Sequence, residues 1–515
     1  MIGAYKWLLV FFCLPTLIHA QDNKHTGEWS KISYNIETNV VASMGEHTPF
    51  WFVSNRHGQS SIENKNANIN IGIYRDFDHK KRLTWAYGIE LTGAWHHTTP
   101  FYIQQLYADI KTNCWELSIG SKERWSEGKN RTLSGGGLTF SPNARPIPQV
   151  RFGINEYTTI PKYFGGWIQA KGHFSYGWQT DNLFLQKLTE DAVPLTYRTQ
   201  DILLHEKTFF MRIAHPSKKG FSIEGGLEMY TQFGGLIYRK DYDGNYYLHY
   251  GLPATYKEFI KAFIPMAGGN STPEAEQSNI NGNILGSWHF IVGHTTDNWK
   301  LRAYYEHFFE DHSQMLGVSW VPDRNGDTRF LTYMPWKDGL WGLELERHQG
   351  KWIKGIVVEY ITSRDQSGPI LHNSNDIFKE QISGWDNYYN HYLYQSWQHW
   401  GMAICNPQFL SPIYNESSSM AMPNNRLRSY HIGIEGIPNE KWQYRMLASH
   451  TRHWGSISDP LGYPMNVISV LVETTHTPCM LQGWQIVGAI AIDHSELIGK
   501  NWGGMLTLCK IGIFN

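Results

Sequence analysis

The chain holds 515 residues, with 45 Lys and Arg against 46 Asp and Glu and a formal net charge of −1. That balance, without a long run of either sign, gives phosphate no electrostatic footprint and excludes nucleic acid as a partner. Aromatic residues reach 15%, with 22 Trp and 29 Tyr, yet mean hydropathy is −0.43, and after residue 20 no stretch carries the 18 uninterrupted apolar residues of a spanning helix.

Residues 1–20 read as a signal peptide: a basic start through Lys6, an apolar run from Trp7 to Ile18, and small Ala20 at the cleavage position. Cys13 lies in the middle of the apolar run, which argues against a lipoprotein signal. The rest, 21–515, is expected to form one outer-membrane β-barrel. Period-two alternation begins at Asn68–Tyr74 and Leu83–Thr92, where Leu83, Trp85, Tyr87, Ile89 and Leu91 oppose Thr84, Ala86, Gly88, Glu90 and Thr92. A strand with Leu and Trp on one face and Glu and Thr on the other has two solvents. The pattern returns at Phe221–Tyr230, Trp299–His307, Trp341–Glu346, Ile356–Tyr360, Trp442–Ser449 and Trp484–Asp493. Each run approaches the roughly 10 residues a tilted strand needs, and single-chain bacterial barrels favour even numbers, so about 18 transmembrane antiparallel strands are expected. No fixed repeat of about 40–50 residues supports a propeller.

Between strands, Thr196–Lys207 and Tyr256–Phe263 are helix-compatible, which places short helical segments in loops or at the periplasmic side, and Gly268–Gly282 is a polar loop. Asp243-Gly244 predicts a hairpin with a tight primed turn between Leu236–Lys240 and Tyr246–Tyr250, and Asn325-Gly326 a second turn. The final strand is expected over Met505–Phe514. Cys114, Cys405, Cys479 and Cys509 are scattered without a CxxC pair, so no zinc site is indicated and no disulfide pairing can be chosen.

The stretch Leu133–Gly153, LSGGGLTFSPNARPIPQVRFG, is followed by Trp167, Phe174–Trp178 with Asp181, Leu204–Lys207, His307–Ser313, Asp338–Gly342 and Asp386–His391. Together these resemble the capsule assembly protein Wzi family over nearly the whole mature chain, most specifically in the Ser141–Pro148 block. The resemblance implies an 18-stranded barrel that binds capsular or exopolysaccharide at the cell surface, assists capsule assembly or attachment, and catalyses nothing. Other partners expected of such a barrel are outer-membrane lipid, lipopolysaccharide and the barrel assembly machinery.

A hydrated polysaccharide needs aromatic faces for C–H groups and Asp, Asn, Arg or Glu for hydroxyls. Physical inference gives Asn143, Arg145, Glu310, Asp311, Asp386, Asn387, Tyr388, Tyr389 and His391 as candidate ligand-binding residues. Interfacial girdles and solvated turns explain such residues equally simply. The Pro-rich Ser141–Pro148 segment is either a rigid loop folded against or into the lumen or a stiff connector. Gly135-Gly136-Gly137 suits close backbone approach or positive φ. Glu90, Glu224, Glu228, Arg302, Glu306, Glu344, Glu346, Glu359 and Arg445 are expected to face the lumen, as wet lining in preference to a plug-forming network. GxSxG, HExxH and P-loop motifs are missing, so no catalytic residue, cofactor or metal is expected. A diffusion porin for small hydrophilic solutes, or an outer-membrane lipid-modifying enzyme, are the alternatives.

Overall fold

The computed structural model describes residues 32–160, 165–217, 219–264, 282–310, 318–322, 328–332, 338–372 and 382–514. The segment expected to be a signal peptide, Asp311, Asn325-Gly326 and the expected Gly268–Gly282 loop up to residue 281 lie outside them. The wall contains β1 (Ile32–Met44), β2 (Lys65–Arg75), β3 (Leu83–Trp95), β4 (Phe101–Thr112), β5 (Trp115–Ser121) and β6 (Gln149–Thr159). It continues through β7 (Ile168–Trp178), β8 (Leu203–Ala214), β9 (Gly220–Phe233), β10 (Asn283–Thr295), β11 (Trp299–Glu310) and β12 (Gly339–Arg347). It ends with β13 (Gly355–Thr362), β14 (Leu427–Asn439), β15 (Trp442–Gly455), β16 (Pro460–His476), β17 (Trp484–Ser495) and β18 (Trp502–Ile513). These make one 18-stranded antiparallel sheet.

β1 pairs with β18 from Ser33↔Ile513 to Met44↔Trp502, so the sheet closes on itself. Closure leaves no edge, which lets the backbone satisfy its hydrogen bonds within hydrocarbon. No helix among the described residues is long and apolar enough to cross a membrane. Outward residues are apolar: along β17, Ile486, Ile490 and Ile492 are exposed while Gln485 and Asp493 are buried inside. Exposed tryptophans mark both rims. Trp85, Trp115, Trp442 and Trp484 sit near strand ends at one rim, and Trp95, Trp178 and Trp502 at the other. Two aromatic belts with an apolar band between them match a bilayer's two interfaces.

The rims differ. Both strand termini, Ile32 and Ile513, share a rim with short turns such as 113–114 and 440–441, while the long connections 45–64, 122–148 and 363–426 leave from the opposite rim. Short turns face the periplasm and long loops the exterior in barrels of this kind.

Two local expectations need correction. Thr196–Lys207 is not helical: Tyr197–Gln200 is a strand, and Leu203 opens β8 after Asp201 turns the chain at φ 54. Pairing of β8 with β7 and β9 outweighs the weak local helix propensity. Tyr256–Phe263 is the expected helix, and a short one over Asn182–Leu188 had no clear periodic signal. The hairpin at Asp243-Gly244 forms, with Lys240↔Tyr246 as its last pair. Its loop spans 241–245 and only Gly244 is left-handed (φ 88), so it is wider than a two-residue primed turn. It belongs to a three-stranded sheet outside the wall, with Tyr197–Gln200 at its edge. The final strand begins at Trp502, earlier than expected. All four described cysteines are free thiols.

The lipid-facing assignment predicts a cost for charge. Ile490, 69% exposed and near the middle of β17, replaced as Ile490→Arg, should lower folding stability in bilayers by about 2–4 kcal/mol. Urea titration of refolded protein in lipid vesicles measures it, and an unchanged midpoint would place this face away from lipid.

Candidate functional site

Inside the wall, the loops 45–64 and 122–148 and the segment from Asp386 to Arg426 pack against one another. Their side chains include some of the most buried in the protein: Trp51, Leu133, Leu138, Trp397, Cys405 and Phe409 are at most 2% exposed. The lumen therefore holds a plug with its own apolar core.

The wall's carboxylates hold the plug. Glu306 on β11 accepts from the Leu138 backbone N–H at 2.7 Å and from Ser287 Oγ at 3.0 Å, and pairs with Lys129 Nζ at 3.0 Å. Glu359 on β13 accepts from Ser134 Oγ (2.6 Å), the Gly135 N–H (2.8 Å) and Tyr304 Oη (2.7 Å). Glu344 accepts from Asn130 Nδ2 (3.1 Å) and Arg302 Nε (3.1 Å). Glu473 on β16 sits between Arg56 (3.0 Å) and Arg445 (2.9 Å), and Asp493 on β17 accepts from the Phe50 N–H (2.9 Å). The lumenal charges thus act as anchors instead of the wet lining expected from alternation. A carboxylate taken from water is tolerated because each gains charge-assisted hydrogen bonds.

The glycine run supplies part of this. Gly136 has φ 103, and consecutive N–H groups around it reach Glu359 and Ser134. On the wall, Gly433 leaves room for the plug: a Cβ there would lie 2.4 Å from the Leu133 carbonyl oxygen. The Pro-rich segment folds into the lumen. Asn143 is fully buried, donating to the Ala403 oxygen (3.0 Å) and Ser411 Oγ (3.2 Å) and accepting from the Asn55 N–H (3.1 Å). Arg145 lies between two rings, 3.7 Å from Tyr102 and 4.6 Å from Trp400, and donates to Thr98 Oγ1 at 2.8 Å. These two residues stitch the plug together.

The remaining candidates gather near the long-loop rim. Tyr388 and Tyr389 are buried against Phe308, with ring centroids 4.8 Å away in each case, and the Tyr389 N–H donates to Glu310. Tyr388 Oη reaches Asp338 at 3.2 Å and Tyr389 Oη the Leu138 oxygen at 2.9 Å. Asp386, Asn387 and His391 are half-buried, and His391 lies beside Tyr392, itself 46% exposed. Of the eight candidates among the described residues, these three are the ones that are not buried. Asn130, Lys129, Trp397 and Trp400 had no motif to mark them, because their partners come from distant strands.

Glu228, His289 and Glu306 bring three potential metal-ligand atoms within 4.8 Å of one another. The ammonium of Lys129 already holds Glu306 at 3.0 Å, so the cluster carries its own cation.

A closed antiparallel barrel with lipid-facing apolar strands, two aromatic belts and a polar interior is the fold of an outer-membrane β-barrel. Among solved structures, the chain is similar to Wzi from Escherichia coli, an outer-membrane protein involved in group 1 capsule assembly and described as a carbohydrate-binding β-barrel. The match has 12% identity and a TM-score of 0.55, over 92% of this chain and 83% of that one. Pseudomonas aeruginosa OccK3 (OpdO) aligns over 94% and 96% of the two chains, at 9% identity and TM-score 0.43. OccK5 (OpdH) from the same organism aligns over 95% and 100%, at 8% identity and TM-score 0.44. No family model and no curated protein matches the chain. The likeness establishes the fold.

Two predictions follow from the plug. Lys129→Ala leaves Glu306 buried without its cation and should cost about 3–5 kcal/mol. The loss should appear as a lower thermal midpoint of the folded, fast-migrating band in gel-shift assays, and a midpoint equal to wild type would show the pair is dispensable. Burial also depresses His57, in a loop, to about 3, so it stays neutral when folded and binds a proton only after the loop releases it. Stability is then complete above about pH 6.5 and declines as pH falls towards 3. The same midpoint measured from pH 7 to 4 should fall, and fall less in the His57→Gln variant. Equal slopes in the two proteins would remove His57 from this role.

Proposed function

We propose that the protein is a member of the capsule assembly protein Wzi family that binds surface exopolysaccharide and assists capsule assembly or attachment without catalysis. The observation that carries this reading is the filled lumen. A protein that grips a glycan outside the cell needs a rigid platform, and a plug tied by buried carboxylates holds the Asp386–Tyr394 region against the wall. Asp386, Asn387 and His391, beside exposed Tyr392, offer hydroxyl partners next to an aromatic face. Within that region Tyr388 and Tyr389 pack on Phe308 and Glu310 accepts from the Tyr389 N–H, Asn143 and Arg145 tie the neighbouring plug segments, and Asp311 follows Glu310 in the chain. The Ser141–Pro148 block, where the family resemblance is densest, is also where the plug is stitched. The apolar band takes outer-membrane lipid, with lipopolysaccharide in the outer leaflet, after insertion by the barrel assembly machinery that such strands require.

A second reading, a diffusion porin for small hydrophilic solutes, is favoured by one feature: polar space remains within the lumen beside ion pairs such as Arg56–Glu473. Two measurements separate the readings. Purified protein in planar bilayers should show little steady conductance, and cells lacking the protein should shed capsule into the medium. Asp386→Ala with Asn387→Ala should weaken glycan binding several-fold without changing conductance. Stable open-channel conductance together with normal capsule retention would sink the glycan reading.

A further inference from the structure

Glu228 on β9, His289 on β10 and Glu306 on β11 come from three neighbouring wall strands at adjoining register positions: Glu228 pairs with Ser287, and His289 with Glu306. Ser287 and His289, two residues apart on one strand, share a face. A potential ligand atom from each of the three lies within 4.8 Å of the others, on side chains at most 3% exposed. The plug closes over them. Leu138 donates its N–H to Glu306 Oε1 at 2.7 Å, and Thr139 Oγ1 meets Ser287 Oγ at 2.7 Å.

Protons do not account for this arrangement. His289 Nε2 has three oxygens in range: Ser287 Oγ at 3.0 Å, Glu228 Oε2 at 3.4 Å and Glu306 Oε1 at 3.9 Å. A single N–H points one way, and only the Ser287 contact has the length of a hydrogen bond. Glu228 Oε2 is left with no hydrogen-bond partner among the described residues. Charge is short as well. The Lys129 ammonium sits on Glu306 Oε2 at 3.0 Å, so one lysine serves two carboxylates, and among the described residues Glu228 has no Lys or Arg of its own. Buried charges are ordinarily paired or bound to a metal.

A cation between the three atoms would satisfy all of them at once. Zinc bonds imidazole nitrogen and carboxylate oxygen at about 2.0–2.2 Å in a tetrahedron, whose ligand atoms are therefore about 3.3–3.6 Å apart. The separations of 3.4 and 3.9 Å from His289 Nε2 are close to that spacing. We propose that Glu228, His289 and Glu306 bind one zinc ion, which clamps β9, β10 and β11 where the plug is seated. The imidazole selects against calcium and magnesium, which take oxygen ligands. Ser287 Oγ, 3.0 Å from both His289 Nε2 and Glu306 Oε1, orients those two ligands. Because the plug seals the cluster, zinc enters as the protein folds, and its role is structural. The surface reading is independent of this site, since no group of the rim loops takes part.

The test uses full-length protein unfolded in urea with chelator, desalted, and refolded in detergent with zinc, calcium, magnesium or no metal. Elemental analysis should find one zinc per chain and neither of the other two metals. The thermal midpoint of the folded gel band should be higher with zinc than without it, as for any ligand that binds only the folded state. Glu228→Gln and His289→Gln should each weaken zinc by more than the roughly 10–100-fold that loss of an outer-sphere contact costs. Glu228→Gln preserves the shape of a side chain whose Oε2 holds no described group, so its folded band should persist while its midpoint stops responding to zinc. Refolded wild type that retains no zinc would overturn the proposal, as would a wild-type midpoint indifferent to zinc or calcium or magnesium held in its place. Zinc retained equally by the Glu228→Gln, His289→Gln double variant would belong to other histidines and would overturn it too. None of these outcomes alters glycan binding at the rim, so the two readings fail separately.

Discussion

Hydrocarbon offers no partner for an N–H or C=O, so a chain crossing it with strands must pair every one of them, and only closure accomplishes that. Here closure is the full-length match of β1 to β18. It sorts side chains by sign of solvation. Residues facing lipid cannot be charged, so nearly all the wall's ionic chemistry is pushed into the lumen, where Glu306, Glu344, Glu359 and Glu473 collect on inward faces. A lumen so charged must be flooded with water or filled with partners, and this protein fills it.

The filling is polar at its boundary and apolar at its heart. Leu138, Tyr389, Trp397 and Phe409 form the centre, while carboxylates meet the loops at the wall. Replacing buried ion pairs by apolar groups is often neutral or stabilising, so such pairs are weak evidence for added stability. Their value here is positional. A carboxylate that accepts a backbone N–H from Leu138 or Gly135 fixes where a loop sits, which an oily contact does not.

The barrel was legible in the sequence because alternation is a local signal: Leu83–Thr92 states its two faces without reference to any other segment. Tyr256–Phe263 was legible as a helix for the same reason. Thr196–Lys207 was not, since its helix-like composition is overruled by pairing with β7 and β9. The plug was hardest to read. Glu306 and Leu138 are 168 residues apart, and Glu359 and Gly135 224. The donors there are backbone groups, which leave no trace in residue type. Asn143 and Arg145 stood out through the prolines around them, yet the rings that clasp Arg145, from Tyr102 and Trp400, come from unrelated parts of the chain. Asp386, Asn387 and His391 were visible as an aromatic-polar run, though nothing local distinguished them from their buried neighbours Tyr388 and Tyr389.

The loop between β1 and β2 is fastened to the far end of the chain. Phe50 is held by Asp493 on β17 and Arg56 by Glu473 on β16, so a segment made early has its seat on strands made last. During synthesis and insertion that loop must wait, unanchored, until the two ends of the sheet meet. Sealing the wall and seating this part of the stopper are therefore one event, and a chain cut short before β16 would lack both.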